Sequence, residues 1–204
     1  GTVDVTFAIV ESSVVYVDRV YVDGNTYTKE KVVRREVLLK PGDVFSAGKM
    51  RRSVERIYNL GFLDDVQVDI QQPRSPSLAD VVFSVKEGKP GILSAGAGFS
   101  SLDGVVGTLQ VQHVNLFGLG QRLNLMWEFG RKKQNYEIGW TDPWFLNKPV
   151  SFGVDLFDTV RTLPFQNDSF AYKKGNRGFG LRLGPRLSDE LSLIENYNYE
   201  RVRV

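Results

Sequence analysis

From residue 91 onward, apolar and polar side chains alternate with a period of two in stretches of about ten residues, each bounded by Gly, Asn, Pro or Lys. Leu123, Leu125, Trp127 and Phe129 share one face, while Arg122, Asn124 and Glu128 lie on the other. Tyr136, Ile138 and Trp140 oppose Glu137, Gly139 and Thr141, and Phe152, Val154 and Leu156 oppose Ser151, Gly153 and Asp155. Phe179, Leu181 and Leu183 oppose Gly178, Gly180 and Arg182. The pattern predicts seven strands, over about 91–101, 105–115, 121–130, 135–142, 150–158, 176–184 and 191–202. Segments of this length with one apolar face fit antiparallel strands of a transmembrane β-barrel, Leu123, Leu125, Trp127, Phe129, Tyr136, Ile138 and Trp140 then facing lipid. Bacterial barrels start at roughly eight strands, so this one is expected to be incomplete in the chain. The connections alternate. Turns at 115–120, 142–149 and 185–190 fall on one side, and loops at 101–104, 131–134 and 159–175 on the other, the last being the longest. Phe117, Trp144 and Phe145 lie at the first set of turns, where an interfacial aromatic girdle is expected. One residue breaks the rule. Glu195 falls on the face of Leu191, Leu193, Tyr197 and Tyr199, so either the register slips there or that stretch lies outside the bilayer.

Before residue 90 the pattern changes to a small α+β unit of order β-α-α-β-β. Arg19–Asp23 alternates and stops at Gly24-Asn25, a turn signal. Thr28 can cap a helix running to Leu38, which Lys40-Pro41-Gly42-Asp43 breaks. Ser46 can cap a second, on which Met50, Val54, Ile57 and Tyr58 form one face and which Gly61 ends. Val66, Val68 and Ile70 mark a second strand, Pro73–Ser77 a loop, and Asp80–Glu87 a third strand. That third strand reads D-V-x-F-x-[IV]-x-E, as does Asp4–Glu11. The repeat leads us to expect residues 1–13 to be the last strand of a preceding copy, 14–88 one complete copy and 89–204 the barrel strands, the chain being part of a longer one.

Composition removes most chemistry. Among 204 residues, 26 Lys and Arg nearly balance 24 Asp and Glu, so no nucleic-acid partner is expected. The absence of cysteine excludes thiol catalysis and Cys-based zinc sites, and a single histidine, His113, excludes multi-His metal sites. Gly91–Gly96 reads G-x-x-S-x-G rather than the G-x-S-x-G of a nucleophile elbow. Neither Gly96-Ala97-Gly98 nor Gly118-Leu119-Gly120 opens a helical pattern, so neither is a phosphate loop. His113 reads as an interfacial residue and Arg131-Lys132-Lys133 as a solvated hairpin tip rather than a contact for lipopolysaccharide phosphates. The expectation is a non-enzyme with no cofactor.

Gly24-Asn25, Val32-Val33-Arg34-Arg35-Glu36, Pro41-Gly42 and Tyr58-Asn59-Leu60-Gly61-Phe62-Leu63-Asp64-Asp65-Val66 resemble a POTRA domain, and in their combination the one adjoining the barrel in the BamA-like outer-membrane-protein assembly factors. The resemblance covers residues 15–88 and continues into the barrel strands. It implies a bacterial outer-membrane location with the POTRA domain in the periplasm, unfolded β-barrel clients, outer-membrane lipids and accessory assembly lipoproteins as partners, and no cofactor. Two sites follow. Val66, Gln67, Val68, Asp69 and Ile70 read as an exposed edge able to pair with a client or partner strand. The first barrel strand, Ile92, Leu93, Ser94, Ala95, Gly96, Ala97, Gly98, Phe99 and Ser100, is rich in small residues and so weakly specified in register. The family's lateral gate for client strands would lie there, though small residues also suit tight barrel curvature. The surface of Arg34, Arg35, Lys40 and Pro41 is a candidate lipoprotein dock. The alternatives are a polypeptide-secreting pore of the same superfamily and a barrel anchor for a patatin-like hydrolase.

Overall fold

The computed structural model describes residues 14–71, 75–165, 170–188 and 191–204, so the expected preceding strand at 1–13 lies outside the described residues. Two compact units result: residues up to Thr26 together with Val33–Glu87, and Tyr27–Val32 together with Gly88–Val204. No described helix is long and apolar enough to cross a membrane.

In the first unit, β1 (Tyr16–Asp23), β2 (Leu63–Gln71) and β3 (Leu78–Glu87) form a sheet of order β1-β3-β2. β3 pairs parallel to β1 and antiparallel to β2. The central strand is buried on alternating positions because Val81, Phe83 and Val85 meet Val17, Val20, Val33, Leu39, Ile57 and Phe62 in the core. α2 (Ala47–Tyr58) starts where expected. Ser46 Oγ accepts from Lys49 N at 3.3 Å, and the helix ends at Asn59, two residues before Gly61 at φ +80°.

The first helix is much shorter than its sequence suggests. α1 spans Glu30–Arg34 rather than 28–38. Glu36 N and Val37 N donate to the carbonyls three residues back, and Leu38 N donates to Ser53 Oγ on α2 at 2.9 Å. The chain thereby turns Leu39 into the core and Glu36 onto Arg56, whose Nε donates to Oε2 at 3.1 Å. Tertiary partners outcompete continued helix.

The second unit holds β4 (Gly91–Ser100), β5 (Gly104–Leu116), β6 (Gln121–Gly130), β7 (Lys133–Asp142), β8 (Val150–Phe165), β9 (Phe170–Pro185) and β10 (Glu195–Arg203). Each pairs antiparallel with the next, giving one seven-stranded meander whose edges are β4 and β10. Two expectations need correction. Residues 159–165 and 170–175 are strand rather than loop, for β8 and β9 pair from Val150↔Pro185 up to Phe165↔Phe170, extending the hairpin well past residue 158. The last strand begins at Glu195 rather than 191. Leu187 N and Ser188 N both donate to Leu191 O, which occupies backbone groups a ladder would need.

Candidate functional site

The sheet curls, and one ion pair tells which way. Asp103, in the β4–β5 turn, sits 3.0 Å from Arg161 Nε on β8, three strands beyond β5. Two side chains can bridge about 14 Å of strand spacing only across a concave face. Arg161 alternates with its neighbours on the face of Thr159, Asp155 and Gly153, so the polar side of every strand is the inner side. The inner face is densely hydrogen-bonded. Arg182 Nη2 donates to Asp155 Oδ1 and to Thr141 Oγ1, each at 3.0 Å. Asn135, buried, donates to Glu128 and Glu137 at 3.0 and 2.8 Å, and Glu128 pairs with Lys133 at 2.8 Å. Glycines make room for these crossings: a Cβ at Gly139 would lie 2.9 Å from Asp155 Oδ1, and one at Gly153 equally close to Arg182 Nε.

The outer face carries all seven residues expected toward lipid. Register pairs tie the strands into rungs. One rung runs Val111, Leu125, Ile138, Leu156, Phe179 and Tyr199, apolar or aromatic from end to end. The next rung, nearer the β4–β5 turn, runs Leu109, Trp127, Tyr136, Asp158, Arg177 and Arg201, beginning apolar and ending charged. At the opposite end the order reverses. Gln121 Nε2 donates to Asp142 Oδ2 at 3.0 Å on β6 and β7, whereas Phe152 and Leu183 on the same rung are apolar. The apolar belt therefore slants across the rungs. Its upper limit moves from Val105 on β5 to Tyr199 on β10, about 20 Å along the strands for about 24 Å across them. That slope, about 40°, matches the tilt of barrel strands crossing a flat apolar slab. At the lower end Trp140 and Phe145 both pack on Phe152, the latter with ring centroids 4.7 Å apart.

Glu195 stands opposite Leu183 on this outer face, and the β9–β10 register runs unbroken from it to Arg203. No slip relieves it; its rung neighbours Phe152 and Leu183 place it at the level of the belt.

The two candidate pairing sites are both sheet edges. β4 bonds to β5 alone, and all ten of its residues are exposed. Its Leu93, Ala95, Ala97 and Phe99 face outward, opposite Val111, Leu109, Gly107 and Val105. A Cβ added at Gly96 or Gly98 would meet nothing within 4 Å, unlike one at Gly139 or Gly153 on the same inner face. β2, with Val66–Ile70, bonds to β3 alone. Of the lipoprotein-dock candidates, Arg34 Nη2 donates to Val20 O and Arg35 turns inward beside Glu36, its side chain 13% exposed. No cluster of three metal-ligating side chains occurs among the described residues.

Sequence reasoning missed the Asp103–Arg161 bridge, because nothing in a period-two pattern says which turn folds over which strand. It also missed the outward Arg177 and Arg201, whose parity was legible but whose height in the belt depends on strand tilt.

Residues 15–88 match the POTRA family, described as a surface antigen variable number repeat, and residues 115–204 match the Omp85 superfamily domain. The outer membrane protein assembly factor BamA of Neisseria meningitidis is 31% identical over 184 residues, covering 89% of this chain and 23% of that protein. BamA of Nitratidesulfovibrio vulgaris is 34% identical over 157 residues, 76% of this chain and 20% of that protein. The chain thus spans under a quarter of the length of these curated relatives. The crystal structure of BamA from Haemophilus ducreyi lacking POTRA domains 1–3 superposes with a TM-score of 0.75 at 24% identity, covering 93% of this chain and 36% of that one. CdiB from Acinetobacter baumannii shares the fold more distantly, with a TM-score of 0.60 at 13% identity.

Proposed function

The chain is a BamA-like outer-membrane protein of the Omp85 superfamily, a POTRA domain joined to the N-terminal part of a β-barrel, and from this we propose that the protein it belongs to assembles outer-membrane β-barrel proteins by strand templating at β4. The observation that carries the reading is the make-up of that strand: Ser94, Ala95, Gly96, Ala97 and Gly98 follow one another, so few side chains fix its pairing with the strand that closes the barrel on it. An edge offers a row of free N–H and C=O groups, and a strand with few packing side chains exchanges partners at little cost. An incoming client strand would add by β-augmentation, then leave into lipid as its own apolar face is buried. Nothing in this scheme needs ATP, a cofactor or a catalytic residue. β2 of the POTRA domain, through Val66, Val68 and Ile70, would hold clients or partner modules in the same way on the periplasmic side.

The test uses the full-length protein in liposomes. A disulfide locking β4 to the terminal barrel strand should stop client assembly and release it on reduction. Cysteines placed singly from Ser94 to Ser100 should cross-link to a stalled client's last strand with period-two efficiency, and Ala97→Pro should abolish templating by removing a donor and fixing φ. Assembly at the native rate by the locked protein would sink the gate and leave a secretion pore working through the lumen as the better account.

A further inference from the structure

We propose that the outer face of β7–β10 holds a phosphorylated glycolipid of the outer leaflet, its acyl chains in a groove below Arg177 and Arg201 and its phosphates on those two arginines. The proposal rests on the reading that this face meets lipid and that the β4–β5 turn points away from the periplasm. A groove of about 510 Å³ lies between Tyr136, Ile138, Leu156, Phe179 and Tyr199, and its rim is formed by Asp158, Arg177 and Arg201. The walls are apolar and the rim charged, the division a lipid has at its headgroup.

The charges at the rim do not balance. Arg177 and Arg201 are register partners, so two guanidinium groups stand directly opposite each other on one face. Like charges so placed are destabilising. Asp158 relieves only one of them: Arg177 Nε donates to its Oδ2 at 3.0 Å. Among the described residues, no carboxylate of β4 to β9 pairs with the Arg201 side chain. Lys173 and Arg203, both exposed, continue the same face toward the tip. On β8, β9 and β10 one outward carboxylate thus stands among four cations, at the height where the apolar belt ends on these strands. An anion that bridges Arg177 and Arg201 turns their repulsion into charge-assisted, planar hydrogen bonds, and phosphate has the geometry for it. From Arg177 to Lys173 is about 14 Å along the strand, too far for one phosphodiester. A headgroup with two phosphates on a sugar backbone reaches both ends, which selects a glycolipid over a simple phospholipid.

Native mass spectrometry of the full-length protein released from phosphatidylcholine nanodiscs tests this, with diphosphoryl lipid A, dephosphorylated lipid A or phosphatidylglycerol added. Lipid A should be retained and the other two lost. Retention should weaken about five-fold for each arginine removed in Arg177→Gln and Arg201→Gln. Asp158→Asn, which frees Arg177, should strengthen it. Equal retention of dephosphorylated lipid A or of phosphatidylglycerol by the native protein would overturn the site without relying on any variant's folding. So would unchanged retention in the double variant. Client assembly is measured on the same native preparation. Assembly without lipid A retention would sink the lipid site and leave the gate standing, and retention without assembly would do the reverse.

Discussion

Arg161 Nη2 donates to Asp103 Oδ2 at 3.2 Å, tying the tip of the β4–β5 hairpin to the fifth strand of the sheet. Without that tie the tip keeps only its local bond, Asp103 N to Ser100 Oγ at 2.9 Å. Arg161 is partly solvated, so the pair is worth about 1 kcal/mol rather than the value of a buried one. Arg161→Gln should therefore speed hydrogen exchange at residues 101–104 about five-fold while leaving β8 and β9 protected. Unchanged exchange would mean that the curl does not depend on the pair.

Gly24 and Gly42 both have positive φ, +83° and +88°, yet they should respond differently to alanine. A Cβ at Gly24 would fall 2.0 Å from Val85 O on the central strand, whereas one at Gly42 meets nothing within 4 Å. Gly42→Ala should cost about 1 kcal/mol of backbone strain. Gly24→Ala must also displace β3 and should cost at least about 3 kcal/mol, read as a lower urea midpoint for the POTRA unit. Equal costs would contradict the close approach.

The Asp43 carboxyl is held below its ordinary 3.8 chiefly by the hydrogen bond from Lys49 Nζ, at 3.1 Å. A depressed folded pKa gives stability that is fully present above the unfolded value and is lost as pH falls through the folded one. The contribution is thus complete at neutral pH and disappears only below about pH 4. Lys49→Met should raise the Asp43 pKa toward 3.8 in a carboxyl NMR titration and leave stability near neutral pH less dependent on Asp43. A titration curve unmoved by the substitution would remove Lys49 as the cause.

Leu109 and Arg201 lie on one rung but should meet different solvents, since the apolar belt slants between them. Spin labels at Leu109, Leu125 and Ile138 should be accessible to oxygen in the bilayer, and labels at Arg201 and at inner-face Asn124 to a water-soluble relaxant. An arginine at Leu125, mid-belt, should destabilise by about 2–4 kcal/mol. Oxygen accessibility at Arg201 equal to that at Leu109 would put the rungs parallel to the membrane and refute the tilt.

Much of this was written in the residue order. Period-two alternation located the first six barrel strands, their faces follow from parity alone, and Ser46 and Gly61 bracketed α2, because each of these signals is local to a few residues. The failures share a cause. α1 stops at Arg34 because Ser53, distant in sequence, takes the Leu38 amide, and 159–165 and 170–175 are ladder rather than loop because β8 and β9 supply each other's partners. Strand parity tells which way Asp158, Arg177 and Arg201 point. Their height in the belt, and the meeting of Asp103 with Arg161, depend on tilt and curl. Those are properties of the whole sheet, set by how every strand's twist and register combine, and no single stretch of sequence contains them.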